Sequence, residues 1–236
     1  MIECFLITNK FSIERTKQKL DMYYTIRPLI PELFENKNPS LPHMQKMFDV
    51  VYYCPLPQLT KEMFRVIVLK IRADPDSFNT YDFFAHQLSI TEVRLHEDVT
   101  LGDLYIVDYE HLKMGHVVKM TPMHLKKAAT IMEKVFSNRL KGIHFINYPP
   151  FVDILIKIGK TILSPKLMGR YVDANANGVL TCDVFLTDLW KLKIAEYKER
   201  FDKLDKMKVN ENLRPAPLKN DDILGYHGNF KSLDMD

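Results

Sequence analysis

The chain has 236 residues, of which 46% are hydrophobic and 27% charged, and its formal net charge is +3. This composition is typical of a soluble globular protein, and the length allows one large domain or a small domain and a large one. A net charge this small gives no argument for nucleic acid as a partner. The three cysteines, Cys4, Cys54 and Cys182, are far apart and odd in number, which predicts no disulfide framework.

The N-terminus and the apolar runs bear on localisation. The start, MIECFLITNK, has no basic n-region and little apolar sequence, so we expect no signal peptide. The longest apolar runs are shorter than a transmembrane helix requires. Together with the scattered cysteines, which are typical of a reducing compartment, these features predict a cytoplasmic protein without a transmembrane segment.

The first part of the chain is predicted to be helical. A helix over 11–27 has Ser12 as its N-cap, and Pro28 and Pro31 end it. A second, short helix is predicted over 30–38.

A domain boundary is predicted near Thr60. Pro55 and Pro57 indicate a loop ahead of it. The boundary separates a small helical region, residues 1–59, from a larger α/β domain, residues 60–204.

The larger region alternates between strands and helices. Strands are predicted over 64–71, 102–109 and 143–147, and helices over 83–97 and 121–136, where apolar residues recur with a helical period. Strand, helix and strand at this spacing predict βαβ crossovers. We therefore expect an α/β fold with a largely parallel sheet that is flanked by helices.

An unusually apolar segment follows the third strand. Pro149 and Pro150 can begin a helix there, and Pro165 ends it. Four apolar residues share one helical face: Phe151, Leu155, Ile158 and Ile162. The segment is either a core helix or a lid that lies on a membrane, and the pattern alone favours the core helix.

Basic residues are concentrated around this segment. Residues 139–170 contain six basic side chains and one acidic side chain. Such a patch suits an anionic partner, for example a phosphorylated headgroup. Taken alone, the pattern is better explained as a solvated polar face.

The C-terminal part has a weaker pattern. Residues 171–184 are turn-rich and atypical, residues 186–204 read as a charged helix, and residues 205–236 form an extended tail with prolines and glycines.

Motifs for catalysis or metal binding are not convincing. There is no nucleophile elbow, phosphate-binding glycine loop or HExxH sequence, and the histidines are scattered. Asp173 to Gly178 match the first half of a calcium-binding loop, but Val184 stands where a bidentate glutamate is required. We therefore predict no enzymatic activity, no metal site and no cofactor.

Three segments carry a resemblance to a known family. They are KFSIERTKQKLDMYYTIRPLIPELF at 10–34, GDLYIVDYEHLKMGHVVKMTPMHLKKA at 102–128 and KGIHFINYPPFVDILIKIGKTILSPKL at 141–167. On these segments the chain resembles the CRAL-TRIO (Sec14-like) family, in particular insect members akin to alpha-tocopherol transfer protein and cellular retinaldehyde-binding protein. The resemblance implies a helical N-terminal region and an α/β lipid-binding domain.

The family encloses one hydrophobic ligand between its sheet and a mobile gate helix, which corresponds here to residues 150–163. The resemblance therefore favours the lid over the core helix. The implied pocket residues are Phe151, Leu155, Ile158 and Ile162 of the gate and strand residues such as Ile106, Ile143 and Phe145. The sequence does not decide which alternate residues of each strand face the pocket. The resemblance also implies a phosphoinositide headgroup site at Arg139, Lys141, Lys166 and Arg170.

Two departures from the family pattern qualify these expectations. An arginine of the family's FLxxxKF motif is replaced among Ile7, Thr8 and Asn9, and residues 171–184 do not match the strand that follows the gate. The second departure implies that part of the sheet after the gate helix is missing.

The expected function is to bind and transfer a hydrophobic molecule (tocopherol, retinoid or lipid-like), with phosphoinositide-dependent docking on membranes. The alternative is a membrane-binding regulatory or adaptor domain, or a degenerate isoform, without a working ligand pocket.

Overall fold

The structure of the protein is a computed structural model, which describes residues 1–136, 139–154, 156–157, 184–207 and 209–213 and the backbone of residues 171–176. The first two helices are α1 (Ile2–Thr8) and α2 (Ile13–Leu29). The Oγ atom of Ser12 accepts a hydrogen bond from the amide of Arg15 at 3.4 Å, which confirms the predicted N-cap.

The segment after α2 is less helical than predicted. Of the helix expected over 30–38, only one 3₁₀ turn forms, Pro31–Leu33. Two single-turn helices follow, α3 (Pro42–Gln45) and α4 (Met47–Val50).

A mixed sheet of five strands forms the centre of the fold. The strands are β1 (Val51–Leu59), β2 (Phe64–Ile71), β3 (Gly102–Asp108), β4 (Leu140–Ile146) and β5 (Tyr171–Ala176). They lie in the order β1-β2-β3-β4-β5; β1 is antiparallel to β2 and all other pairs are parallel. The α/β fold class and the three predicted strands are confirmed.

The prediction of a loop at Pro55 and Pro57 is wrong. Both prolines lie within β1, where Pro55 pairs with Ile67 and the register shifts before Leu59. An edge strand tolerates proline because the missing N–H does not interrupt a ladder on both sides. The sheet therefore begins before Thr60.

The interpretation of the segment after the gate is also corrected. Residues 171–176 are not a turn but strand β5, in which Tyr171 pairs with Ile143 and Val172 with His144. The departure from the family pattern implied that a strand is missing after the gate. The structure has a strand at this position. Residues 177–183 lie outside the described part of the chain.

The crossovers between the parallel strands are helical. They contain α5 (Thr80–Glu97), α6 (Met114–Lys119) and α7 (Pro122–Thr130), which continues as a π-helical turn, Ile131–Val135. The side chains of Asn79 and Thr121 cap α5 and α7. Because parallel crossovers are right-handed and the strand order is sequential, these helices lie on one face of the sheet.

The C-terminal helical region is broken into two helices. These are α8 (Val184–Glu196) and α9 (Lys198–Lys206), with a turn at Tyr197 inside the predicted helix 186–204. A 3₁₀ turn, Glu211–Leu213, follows. The predicted tail beyond it lies outside the described residues.

The hydrophobic core lies mainly between the helical crossovers and one face of the sheet. Strand residues Ile67, Tyr105 and Leu140 pack there with Tyr23 of α2 and Phe201 of α9. On the other face, α8 packs against β1 and β2 through partly buried Leu186 and Trp190, over buried Tyr52, Cys54 and Val68. The N-terminal and C-terminal helices therefore share one core with the sheet.

The parallel strands give the sheet an N-terminal end and a C-terminal end. Strands β2, β3 and β4 begin at the N-terminal end, at Phe64, Gly102 and Leu140, and finish at the C-terminal end. Met63, Leu101 and Arg139 directly precede the three strands at the N-terminal end.

A buried carboxylate connects the two helical regions. Glu92 of α5 accepts hydrogen bonds from Tyr23 Oη at 2.7 and 2.8 Å and from Arg200 Nε at 3.1 Å. Burial raises the pKa of Glu92, but hydrogen bonds from His96 and Tyr23 and the charges of Arg27 and Arg200 outweigh it, so the pKa lies below its ordinary value. Glu92 is therefore held ionised in the core.

A second buried ion pair fixes the C-terminus of α5 to β3. Arg94 Nη2 lies 2.6 Å from Asp103 Oδ1, and Nη1 lies 3.2 Å from Oδ2, a bidentate arrangement. Arg94 Nε also donates to Asp98 at 3.0 Å, and Asp98 in turn accepts from Arg65 of β2. The network therefore joins α5, β2 and β3 at the N-terminal end of the sheet.

Removal of one charge from this pair is expected to destabilise the protein strongly. We expect Asp103→Ala to lower the free energy of unfolding by about 3–5 kcal/mol, because the buried Arg94 loses the carboxylate that pairs with its Nη1 and Nη2 atoms and keeps only Asp98. The double variant Arg94→Met/Asp103→Leu should cost less than Asp103→Ala alone. Urea denaturation of wild type and both variants measures this, and equal losses in Asp103→Ala and the double variant would contradict it.

Candidate functional site

A largely apolar cavity of about 260 Å³ lies between the sheet and the helices of the crossovers. A single water needs only roughly 10–15 Å³ of such space, so the cavity is large enough for an organic ligand. Its lining comprises Leu69, Ile71, Phe83, Phe84, Gln87, Tyr105, Val107, Asp108, Tyr109, Leu112, Met120, Leu125, Ala128, Ala129, Met132, Leu140, Ile143, Phe145 and Ile156.

The floor of the cavity is formed by aligned side chains of three parallel strands. Leu69 of β2 pairs with Val107 of β3, which pairs with Phe145 of β4. Residues in register across parallel strands project to the same face, so these three side chains form one apolar row. Tyr105 and Ile143, also paired, form the next row towards the N-terminal end.

The opposite wall is formed by α5 and α7. Phe83 and Phe84 come from α5, while Ala128 and Ala129 come from α7. The short alanine side chains leave space opposite the apolar rows of the sheet. The helical period of the sequence predicts the apolar face of α7 but does not place it in a pocket.

The predicted strand residues of the pocket are placed differently from one another. Ile143 and Phe145 line the cavity. Ile106 does not, and this expectation is corrected: it pairs with His144, so it projects to the opposite face from Ile143 and Phe145. Only the register between β3 and β4, which is not visible in either strand alone, distinguishes the two faces.

The gate segment begins at the C-terminal end of the sheet, and part of it is described. A 3₁₀ turn, Pro150–Val152, is followed by helical residues at 153, 154, 156 and 157. Ile156 lines the cavity, whereas Ile154 is exposed. Phe151 packs beside the neighbouring core cluster that contains Val152. The other predicted gate residues, Leu155, Ile158 and Ile162, lie outside the described residues.

Asp108 fixes the point at which the gate segment leaves the sheet. Its carboxylate accepts a hydrogen bond from Asn147 Nδ2 at 2.8 Å and lies 2.9 Å from Lys70 Nζ. Asn147 has a left-handed backbone, φ 52°, at the turn out of β4. Burial raises the pKa of Asp108, but the hydrogen bonds from Asn147, the Glu110 amide and Lys70 outweigh it, so its pKa lies below the ordinary value.

Two of the four predicted headgroup residues are described. Arg139 is half-buried, and its carbonyl accepts the amide of Asp103 at 2.8 Å. Lys141 is exposed, and its Nζ lies 4.6 Å from the centre of the Phe64 ring, at cation–π distance. Both lie at the N-terminal end of the sheet. Lys166 and Arg170 lie outside the described residues.

Other kinds of site are not found in the described part of the chain. No group of three or more His, Cys, Asp or Glu side chains there could hold a metal ion. His116, one of the scattered histidines, is fully buried and interacts with the carbonyl of Ala73 at 3.0 Å. Among the same described residues, no helix is both long enough and apolar enough to cross a bilayer.

The fold and cavity agree with the comparison with known families. The family model described as "CRAL/TRIO domain" matches residues 50–179, more than half of the chain, and a model described as "Pinta-like, UBA domain" matches residues 1–44. The chain is therefore a member of the CRAL/TRIO family, as its resemblance predicted.

Individual relatives are more distant. "Alpha-tocopherol transfer protein-like" from Homo sapiens is 25% identical over 170 residues, which cover 71% of this chain and 49% of the relative. "Clavesin-1" from Xenopus laevis is 24% identical over 169 residues, 70% of this chain and 51% of the relative. The chain thus spans about half the length of the curated relatives it matches. The crystal structure of Sfh5 is similar with a TM-score of 0.46 and 13% identity, covering 83% of this chain and 80% of that one.

The contacts of Asp108 predict a pH-dependent contribution to stability. Because its pKa in the folded protein is below the ordinary value of 3.8, the ionised carboxylate stabilises the fold above pH 3.8, and this contribution is lost as the pH falls through the folded-state pKa. We expect Asp108→Asn to be less stable than wild type at neutral pH and the difference to shrink in acid.

Urea denaturation over a series of pH values tests this, with the exposed Asp76→Asn as the control. A difference between wild type and Asp108→Asn that stays constant from neutral to acidic pH would contradict the role of the ionised carboxylate.

Proposed function

We propose that the protein binds one hydrophobic small molecule in the cavity and transfers it between membranes. The cavity carries this proposal, because its lining is apolar apart from a few groups such as Gln87 and Asp108. Apolar cavities hold water poorly and favour apolar ligands. The relatives, one of them named for tocopherol transfer, support a ligand of the tocopherol, retinoid or lipid class.

The gate segment supports an exchange mechanism. Ile156 covers the cavity while Ile154, two residues away on the helical segment, is exposed. A segment with apolar side chains on both sides can close over a ligand in water and lie on a bilayer when it opens. Membrane contact would then stabilise the open state and permit the ligand to leave.

We further propose that a phosphoinositide headgroup recruits the protein to the membrane. Arg139 and Lys141 lie at the N-terminal end of the sheet, and β5 starts there with Tyr171 beside Ile143. Arg170, which directly precedes Tyr171 in the sequence, and Lys166 lie outside the described residues. Phosphate oxygens pair well with arginine and lysine, so these side chains suit a phosphorylated headgroup. We therefore propose a cytoplasmic carrier that associates transiently with membranes.

The second candidate is an adaptor domain that docks on membranes without a ligand. Arg139 and Lys141 support it as well as the carrier, because basic side chains attract an anionic membrane surface whether or not the cavity holds a ligand. It predicts vesicle binding by a protein that carries no small molecule.

The ligand proposal predicts that filling the cavity prevents ligand capture. Ala128→Trp places an indole in the space opposite the apolar rows, whereas Met123→Trp adds the same side chain on an exposed position of α7. After incubation with a total lipid extract, native mass spectrometry should show one stoichiometric adduct for wild type and Met123→Trp and a much weaker one for Ala128→Trp.

Thermal unfolding of both variants shows whether each is folded. If folded wild type carries no adduct, the adaptor function replaces the carrier function. If Ala128→Trp binds as well as Met123→Trp, the ligand does not lie in this cavity.

The docking proposal predicts a loss of phosphoinositide binding on charge reversal. Arg139→Glu/Lys141→Glu and Lys166→Glu/Arg170→Glu should each weaken flotation with vesicles that contain phosphatidylinositol bisphosphate, while ligand capture is retained. Lys46→Glu/Lys203→Glu changes two exposed lysines elsewhere and serves as the charge-matched control. Equal flotation of all three variants would exclude the headgroup site.

A further inference from the structure

Several large apolar side chains are exposed at the N-terminal end of the sheet, which the cavity does not use. Met63 and Leu101 directly precede β2 and β3, and 45% and 46% of their surfaces are exposed. The amide of Leu101 donates to the carbonyl of Met63 at 2.9 Å, so the two residues are neighbours. Val99 is exposed nearby in sequence.

The turn between α1 and α2 lies beside this end and adds to the exposed apolar surface. Phe11 is 70% exposed and Ile13 is 66% exposed. Thr8, the last residue of α1, lines one small cavity together with Gly102 and Arg139 of the N-terminal end. The end of α1 therefore lies beside the N-terminal end of the sheet, and the turn that carries Phe11 and Ile13 follows it directly.

The backbone holds two of these side chains in an unfavourable conformation. Lys10, Phe11 and Met63 have φ values of 58°, 59° and 61°, in the left-handed region. This conformation costs roughly 1–2 kcal/mol for a residue with a side chain, and exposed aromatic residues rarely adopt it. The amide of Phe11 donates to the carbonyl of Leu6 at 2.7 Å, which helps to fix the turn. Strain of this kind is typical of functional positions.

The charged residues around the apolar side chains are mostly basic. Exposed basic residues are Lys10, Arg15, Lys17, Lys61 and Lys141, and exposed acidic residues in the same segments are Glu14, Glu62 and Glu97. Apolar side chains interleaved with lysine and arginine complement the interface of an anionic bilayer, where apolar groups insert and basic groups contact lipid phosphates.

We infer that the N-terminal end of the sheet and the α1–α2 turn form a membrane-insertion surface for anionic lipids. Phe11 and Met63 insert below the headgroups, with Leu101 beside them, and Lys10, Lys61 and Lys141 contact lipid phosphates. The inference rests on the proposed phosphoinositide docking, because that docking sets which side of the protein faces the membrane. Lys141 belongs both to the proposed headgroup site and to the insertion surface. It assigns the insertion to residues outside the gate and requires no specific phosphoinositide.

The test is flotation with phosphatidylcholine vesicles that contain phosphatidylserine and lack phosphoinositide. Phe11→Asn/Met63→Asn removes both apolar side chains while introducing a residue that tolerates left-handed φ. We expect it to bind these vesicles at least about tenfold more weakly than wild type, since burial of each side chain contributes substantially to partitioning. The control, Phe185→Asn/Leu192→Gln, removes two side chains on α8 that are each 65% exposed and should bind like wild type.

A fluorescent variant measures insertion directly. Phe11→Trp in a Trp190→Phe background has its single tryptophan in the turn, because the chain contains one Trp. Its emission should shift to the blue when anionic vesicles are added and remain unchanged with pure phosphatidylcholine. Unshifted emission from vesicle-bound protein, or equal losses in Phe11→Asn/Met63→Asn and the α8 control, would overturn the inference.

Failure of this surface and failure of the proposed function give different results. If phosphatidylserine binding is unaffected by Phe11→Asn/Met63→Asn while Arg139→Glu/Lys141→Glu still abolishes phosphoinositide binding, only the insertion surface is wrong. If the cavity carries no ligand but the emission of the Phe11→Trp variant shifts, the insertion surface stands and the carrier function does not.

Discussion

The register of β2, β3 and β4 is the constraint on which the rest of the structure depends. Because Leu69, Val107 and Phe145 are in line across three parallel strands, one face of the sheet carries an unbroken apolar row. Right-handed crossovers then place α5 and α7 over this same face. The short side chains of α7 leave the space between sheet and helix unfilled, and this space is the cavity.

Buried charge holds the helices in the positions that define this space. Arg94 fixes the end of α5 to β3 through Asp103, and Glu92 joins α5 to α2 and α9 through Tyr23 and Arg200. Burial of the Arg94 guanidinium or the Glu92 carboxylate alone would cost free energy, and the charged and hydrogen-bonding partners around each group offset this cost. The N-terminal helices are therefore not an independent appendage, since part of their polar core is supplied by α5 and the C-terminal region.

The sequence predicted those elements whose signals are local. The β-branched run of β2 and the Thr121-Pro122 start of α7 are each contained within a few residues, and both predictions were confirmed. Strand β1 was missed because its prolines are tolerated only at an edge, and β5 because its Asp and Asn residues resemble a turn. The prediction that Ile106 lines the pocket was wrong, because the pairing register of β3 and β4 cannot be read from either strand alone. The headgroup role of Arg139, Lys141, Lys166 and Arg170 remains a prediction, as does the pocket role of the three gate residues that lie outside the described part of the chain.

The two prolines of β1 also affect how the molecule can associate. β1 is the outer strand on one side of the sheet, with β2 as its only neighbour within the described sheet. An exposed edge offers N–H and C=O groups to which another polypeptide can add as a further strand. Pro55 and Pro57 have no N–H to donate, and the register shift beside them distorts the ladder. This edge is therefore a poor template for strand addition, which limits amyloid-like growth from the antiparallel side of the sheet.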